Sequence, residues 1–209
     1  KEFFGRDFRV DESVLIPRPE TEMLVEWVLE TIDSASFSSA DGSWPLLVDC
    51  CTGSGCIPVT LGLELSRSRG DRSISHGYRI TGTDLSSAAL TIAEQNRRSL
   101  APDMEIGWRQ GDLLDALGAG PDSVHILTAN PPYVPHALDG GSDGLELIRR
   151  LVPQAARLLA PGAWFFMEFG DGQSEAIVDI LESYGLHHPE IRPDLAGLPR
   201  MVRVRQSGA

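Results

Sequence analysis

The sequence predicts an α/β fold: a mostly parallel, seven-stranded sheet with helices on both faces, preceded by a short N-terminal hairpin or arm. Three observations carry this expectation. Short apolar runs of strand length alternate with helical stretches along most of the chain, the pattern that a parallel sheet with crossover helices requires. The 209 residues suffice for one such domain with a core that needs no staples. At 42% hydrophobic and 23% charged residues the composition is that of a globular protein, and no apolar run approaches membrane-spanning length, so no membrane association is expected.

The elements follow in order. Residues 3–10 and 14–16 are apolar stretches separated by the polar Asp11-Glu12-Ser13, which reads as a hairpin or entry arm over residues 1–18. Pro17-Arg18-Pro19 breaks the chain and opens the main domain, 19–209. Pro19 suits a first helical turn, and Met23, Leu24, Trp27, Val28 and Leu29 recur at helical spacing to about residue 32. Residues 33–43 form a surface connection. A buried strand at 46–51 then leads through a glycine turn into a helix at 56–65, and a second unit pairs a strand at 78–83 with a helix at 86–98. The Ser/Arg-rich stretch between these units, 66–76, reads as a loop insertion. Met104, Ile106 and Trp108 alternate as a third strand, and 124–129 is a fourth, followed by a proline-rich loop. A helix at 144–159, a strand at 163–169, a helix at 174–184 and strands near 186–191 and 201–205 complete the chain. In such sheets ligands sit beyond the carboxyl ends of the strands, at the point where strand order reverses.

Charge and cysteine usage narrow the function. Eighteen Lys and Arg against 30 Asp and Glu give a net charge of −12, the wrong sign for affinity based on neutralising phosphates, so no stable nucleic-acid binding is expected. The three cysteines, Cys50, Cys51 and Cys56, are clustered without a distant partner, which points to a reducing compartment: the cytoplasm, or the mitochondrion in a eukaryotic cell. They read as small packed hydrophobes rather than nucleophiles. The five histidines lack partners at ligand spacing, so no metal is expected. Starting at Lys1 without a signal pattern, the chain reads as part of a longer polypeptide.

The first strand runs into Asp49-Cys50-Cys51-Thr52-Gly53-Ser54-Gly55-Cys56. Two glycines one residue apart let the backbone pass close to a ligand while the next helix offers free N–H groups. A dinucleotide fingerprint needs a third glycine where Pro58 stands, and no Lys-Ser or Lys-Thr follows, so a nicotinamide dehydrogenase fits poorly and a P-loop is excluded. Taken alone, the turn reads equally as a tight strand-to-helix connection. Asp84, closing the second strand, can accept both hydroxyls of a ribose, although it and Ser86 also stand where a helix N-cap belongs. Asp112, after the third strand, suits an exocyclic adenine amine or serves as a cap or solvated carboxylate. Asn130-Pro131-Pro132-Tyr133 follows the fourth strand. Asn-Pro-Pro by itself makes a turn. The prolines also remove two donors and stiffen the chain, so that the Asn130 side-chain oxygen and the Pro131 carbonyl form paired acceptors for an NH2 group, while Tyr133 offers a flat face for stacking.

In order and spacing, residues 49–55, Asp84 and Asn130-Pro131-Pro132-Tyr133 resemble the class I S-adenosylmethionine-dependent methyltransferases that modify planar nitrogens. Phe3-Phe4-Gly5, Leu15-Ile16-Pro17-Arg18-Pro19-Glu20-Thr21-Glu22, the glycine-rich 139–145 and Glu168-Phe169-Gly170 through Gln173 make the chain similar to the peptide chain release factor glutamine-N5 methyltransferases over nearly its whole length. The resemblance implies a Rossmann-like class I fold, S-adenosylmethionine as cofactor with S-adenosylhomocysteine as product, and a release factor bearing a glutamine loop as protein partner. It places Asp49, Cys51, Thr52, Gly53, Ser54, Gly55, Asp84, Asp112, Leu113 and Asn130 at the cofactor. Asn130, Pro131, Pro132 and Tyr133 go to the substrate, with Asn130, Pro131 and Tyr133 as catalytic residues. It also implies that the segment containing Glu20 and Glu22 closes over the site. Glu168, ending the fifth strand near the expected site, reads as ordering the neighbouring loop in preference to contacting substrate. Three departures stand out: Cys51 where the family usually has Gly, a shorter segment after Pro135, and no N-terminal helical domain.

The expected reaction is methyl transfer to a glutamine side-chain amide, with Asn130 and the Pro131 carbonyl holding the two N–H groups and no strong general base. The alternatives are an N6-adenine-type amino-methyltransferase acting on DNA or RNA, which the charge disfavours, and a non-catalytic methyltransferase-like scaffold, for which Cys51 is the best argument.

Overall fold

A computed structural model describes residues 1–34, 44–68, 78–118, 124–132 and 143–207. Strands β1 (Glu2–Phe3) and β2 (Arg6–Asp7) precede α1 (Pro19–Ser34). Units of strand and helix follow: β3 (Leu46–Cys50), α2 (Cys56–Ser68), β4 (Arg79–Asp84), α3 (Ser87–Leu100) and β5 (Ile106–Gln110) with a 3-10 helix at Leu113–Leu117. The second half comprises β6 (Val124–Ala129), α4 (Glu146–Leu158), β7 (Leu159–Glu168), α5 (Ser174–Ser183), β8 (Glu190–Pro193) and β9 (Pro199–Arg205).

Seven strands form one sheet in the order β5-β4-β3-β6-β7-β9-β8. Only β9 runs against its neighbours, β7 and β8. The chain therefore builds outward from β3 to β5 on one side, returns to the centre at β6, extends to β7, and then places β8 at the far edge with β9 inserted between β7 and β8. This puts the reversal of strand order between β3 and β6, where a ligand crevice opens in such sheets. Register aligns the strand ends: Cys50 lies opposite both Thr83 and Ala129, and Ala129 opposite Met167. The loops leaving β3, β4, β6 and β7 consequently emerge along one edge.

The alternation of side chains across the strands divides the core in two. Val48, Leu127, Phe165 and Val202 face α4 and α5. Leu47, Ile80, Ile126 and Phe166 face α1 and α2 and cover the buried Phe3 and Phe8 of the N-terminal segment. Helix α4 shows the logic locally: Leu147, Ile148, Leu151, Val152, Ala155 and Leu158 are its buried residues and make one apolar stripe.

The N-terminal hairpin is shorter and earlier than the two apolar stretches suggest. Glu2–Phe3 pairs with Arg6–Asp7 around Phe4 and Gly5, whose φ values of 52° and 70° are those of a primed two-residue turn. Residues 14–16 form no strand, because Leu15 and Ile16 stay 57% exposed and gain no burial. At Arg9 the backbone N–H donates to Asn96 Oδ1 at 2.7 Å and the carbonyl accepts from Asn96 Nδ2 at 3.0 Å, so a helix side chain takes the place of a strand partner. Strand β7 begins at Leu159, earlier than the apolar run at 163–169, because Gly162 at φ 79° and a register shift opposite β6 let the pairing continue through an irregularity. The 3-10 helix after β5 has no counterpart in the sequence reading. Residues 35–43, 69–77 and 133–142, which hold most of the expected surface connection, most of the Ser/Arg-rich insertion and Tyr133, lie outside the described residues.

Candidate functional site

At the carboxyl end of β3, Asp49 is fully buried. Its register partner on β6, Thr128, donates to Oδ1 at 2.7 Å, while Oδ2 is buried and meets no donor among the described residues. Burial pushes the Asp49 carboxyl up to about 7; the charge of Asp84 adds to this, and the nearby hydroxyls of Thr52 and Thr128 oppose it.

The turn that follows is held by its backbone. Thr52 N–H donates to the Thr83 carbonyl at 3.0 Å, and Gly55 N–H to the Thr52 carbonyl at 2.8 Å. Cys51, Gly53 and Gly55 are all left-handed, at φ 60°, 53° and 75°. The first value explains why glycine suits position 51 and why cysteine there carries a conformational cost of about 1 kcal/mol. The two glycines serve different ends. A Cβ at Gly53 would meet nothing within 4 Å, so that backbone faces open space; one at Gly55 would meet Ala93 Cβ at 3.0 Å and Trp108 at 3.2 Å. Gly55 is therefore required by the packing of α3 and β5 behind the loop. All three cysteines are free thiols. Burial pushes Cys56 up to about 12, and the adjacent Cys50 thiol together with burial holds Cys51 well above the usual thiol range, so neither supplies a thiolate.

Asp84 braces this turn. Its Oδ2 accepts Gly53 N–H and its Oδ1 accepts Ser86 N–H, both at 2.9 Å. Ser86 is the N-cap of α3, its hydroxyl accepting Ala89 N–H at 3.2 Å. Of the two candidates, Ser86 does the capping, while Asp84 accepts the N–H groups of Gly53 and Ser86. Asp112 forms an ion pair with Arg150 of α4 and makes no side-chain cap of the 3-10 helix. Leu113 beside it is buried and left-handed at φ 52°, and the next N–H, of Leu114, donates to Gln154 of α4 at 2.8 Å.

Asn130 lies just past β6. Its Nδ2 donates to Glu168 Oε2 at 3.0 Å and to Thr21 Oγ1 at 3.2 Å, and the Thr21 hydroxyl donates to the same Glu168 oxygen at 2.7 Å. Asn130 Oδ1 is buried and meets no donor among the described residues. Pro131 is buried and Pro132 partly so, and Tyr133 lies outside the described residues. In the segment of Glu20 and Glu22, Thr21 is the residue that reaches the site, while Glu22 Oε1 accepts Phe4 N–H at 2.9 Å and pins the hairpin.

Several residues here carry no role in the sequence reading. Asn96 joins the turn after β3 to the N-terminal arm, donating to the Ser54 carbonyl at 2.9 Å as well as to Arg9. Trp108 packs behind Gly55 and Gly82 and donates to Glu94 at 2.9 Å. A polar Asn on the buried face of an amphipathic helix is the one signal that could have marked Asn96. No group of three metal-ligating side chains occurs among the described residues.

Residues 41–178 match the family described as RMKL-like, methyltransferase domain. The release factor glutamine methyltransferase of Koribacter versatilis is 37% identical over 223 aligned residues, covering 99% of this chain and 72% of that protein. Its counterpart in Moorella thermoacetica is 38% identical over 217, covering 96% and 70%. Among solved structures, the N-terminal domain of human METTL16 in complex with SAH superposes with a TM-score of 0.65 at 19% identity, covering 96% of this chain and 76% of that one. The E. cuniculi Mtq2–Trm112 complex gives 0.62 at 19% identity, covering 93% and 99%. These structural likenesses establish the class I methyltransferase fold, and identity of this degree along almost the whole sequence establishes more: the chain belongs to the release factor glutamine methyltransferase family.

Proposed function

We propose that this protein transfers a methyl group from S-adenosylmethionine to the side-chain amide nitrogen of a glutamine in a peptide chain release factor. The observation that carries the reading is Asn130 Oδ1, a buried acceptor that meets no donor among the described residues, at the carboxyl end of β6 beside the reversal of strand order. A buried acceptor left without a donor costs roughly 1–3 kcal/mol, which a substrate N–H returns on binding. With the Pro131 carbonyl it forms the pair of acceptors that a primary amide needs.

The opposite corner suits the cofactor. Asp49 Oδ2, Thr52 Oγ1 and Ser54 Oγ are buried polar atoms that meet no partner among the described residues, and they surround a turn whose Gly53 presents bare backbone. The carboxylate at Asp49 suits an ammonium group, and the hydroxyls suit a carboxylate. Asp84, already accepting two N–H groups, retains lone pairs for ribose hydroxyls, and Asp112 and Leu113 flank the position of the base. S-adenosylmethionine, when bound, supplies an electrophilic methyl group on a sulfonium.

The protein's own task is orientation. An amide nitrogen is a weak nucleophile because its lone pair is delocalised into the carbonyl. Holding both N–H groups on Asn130 and Pro131 aims that lone pair along the line of attack and favours pyramidal nitrogen as the new N–C bond forms. Once methylated, the nitrogen is acidic enough to lose its proton to water, so no side chain needs to act as a strong base. The thiols of Cys51 and Cys56, held above the usual thiol range, are consistent with a route free of covalent enzyme intermediates.

The test is methyl transfer from radiolabelled S-adenosylmethionine to a release factor, DNA and RNA in parallel, with the modified atom mapped. Label on a single glutamine nitrogen, abolished by changing that glutamine to Asn or Glu and unaffected by added DNA, supports the reading. Equal labelling of nucleic acid overturns it.

A further inference from the structure

We infer that Thr21 and Glu168 are positioning residues that hold the Asn130 side-chain amide with its oxygen, rather than its nitrogen, toward the substrate, and so select the nitrogen of an incoming primary amide over its oxygen. The inference rests on the reading that Asn130 faces the substrate.

An asparagine amide has two orientations of nearly identical shape, and only its hydrogen-bond partners distinguish them. Here the partners leave one choice. Glu168 Oε2 already accepts the Thr21 hydroxyl at 2.7 Å, so that hydroxyl proton is committed to Glu168. Both oxygens then face Asn130 as acceptors, at 3.0 and 3.2 Å. Turning the amide over would set its oxygen against both, with no proton between them. Thr21 and Glu168 are buried, at 2% and 0% exposure, so water is poorly placed to supply the missing donor.

The consequence is chemical selection. With Oδ1 inward, the loop offers acceptors only, which bind the NH2 end of an amide. With Nδ2 inward it would offer a donor, bind the carbonyl end, and turn the nucleophile away from the methyl group. The three residues come from the first turn of α1, the end of β7 and the loop after β6, so packing of α1 on the sheet sets the polarity of the site.

The experiment combines nuclear magnetic resonance with kinetics on the full chain. In the wild type, the Asn130 side-chain NH2 signals, assigned by their loss in Asn130→Asp, are expected to be slow to exchange with solvent and to shift on Glu168→Gln. Freely exchanging NH2 protons in the wild type overturn the inference whatever the activity. In methyl-transfer assays, Glu168→Gln and Thr21→Val are expected to lower kcat by about 10- to 100-fold with the S-adenosylhomocysteine Kd unchanged. Thr21→Ser, which keeps the hydroxyl, restores the larger part of the loss. The double variant Asn130→Asp with Glu168→Gln reverses the polarity of the pair at constant net charge, and its kcat is expected to exceed that of either single variant. Wild-type kcat in both Glu168→Gln and Thr21→Val overturns the inference. Full activity in Asn130→Ala overturns instead the placement of Asn130 at the substrate, an outcome separable from the others because the NH2 signals report the polarity independently.

Discussion

At the corner proposed for the cofactor, residues 49–55 arrange themselves largely through their own backbone: three left-handed residues, a hydrogen bond from Gly55 to Thr52, and a brace from Asp84. At the corner proposed for the substrate, Asn130 is oriented by side chains that lie 109 and 38 residues away in the sequence. The first corner depends on local conformation and tolerates little at single backbone positions. The second depends on polarity, and a change there need not disturb the fold. Damage to the first should therefore appear mainly as lost stability or cofactor affinity, and damage to the second as lost turnover.

The largest expected effect sharpens the contrast within the first corner. Gly55→Val puts a branched side chain at φ 75° against Ala93 and Trp108, and is expected to cost about 4 kcal/mol, a large share of the roughly 5–15 kcal/mol that holds an ordinary domain folded. Gly53→Ala, at φ 53° in open space, is expected to cost only about 1 kcal/mol while weakening cofactor binding more than it lowers Tm. Thermal melts with and without S-adenosylhomocysteine separate the two; equal losses of stability would erase the distinction between them.

Asp49 comes next. Its folded pKa of about 7 lies above the unfolded value of 3.8, so the native state holds a proton that the unfolded chain releases. The stability this contributes is fully present below about pH 4 and is lost as pH rises through 7, by up to about 4 kcal/mol. Melts of the cofactor-free protein should thus decline across that window, and Asp49→Asn should flatten the decline. If Oδ2 takes an ammonium group of the cofactor, calorimetry in buffers of differing ionisation enthalpy will record proton release on binding near neutral pH.

Asn130→Ala is expected to lower kcat by on the order of 10²-fold, equivalent to about 3 kcal/mol, with little change in cofactor affinity or Tm. A fall in Tm as large as the loss of turnover would mean that the second corner is structural after all. The smallest effect is expected at Cys51→Gly, which relieves a left-handed cysteine. Denaturant melts should show a change within about 1 kcal/mol, the relief of strain being offset by the greater freedom of glycine in the unfolded chain.

How legible each corner is in the sequence follows from the same contrast. Asp49 through Gly55 can be read because the turn is local: glycine at a position requiring positive φ is a signal carried by the residue itself. Asp84 can be read as the acid closing β4, although its grip on Gly53 cannot. An N-terminal hairpin is legible, but its strands lie at residues 2–7, because the apolar residues at 14–16 predict burial that the surface does not provide. Thr21 and Glu168 are visible as residues of recurrent motifs, yet nothing in either motif says that they share one hydrogen-bonded cluster.

The amino-acid sequence by itself determined the alternation of strands and helices, hence the parallel sheet, the edge at which ligands gather, and the presence there of a backbone-lined turn and an amide-bearing loop. These depend on periodicity and on conformational preferences that each residue carries wherever it stands. The tertiary structure alone decided which way Asn130 turns its amide, which glycine is needed for packing rather than for ligand approach, and how Asn96 and Glu22 fasten the N-terminal segment to the site. Those outcomes depend on hydrogen-bond partners and contact surfaces that come together only when α1, α3 and β7 pack against the central strands.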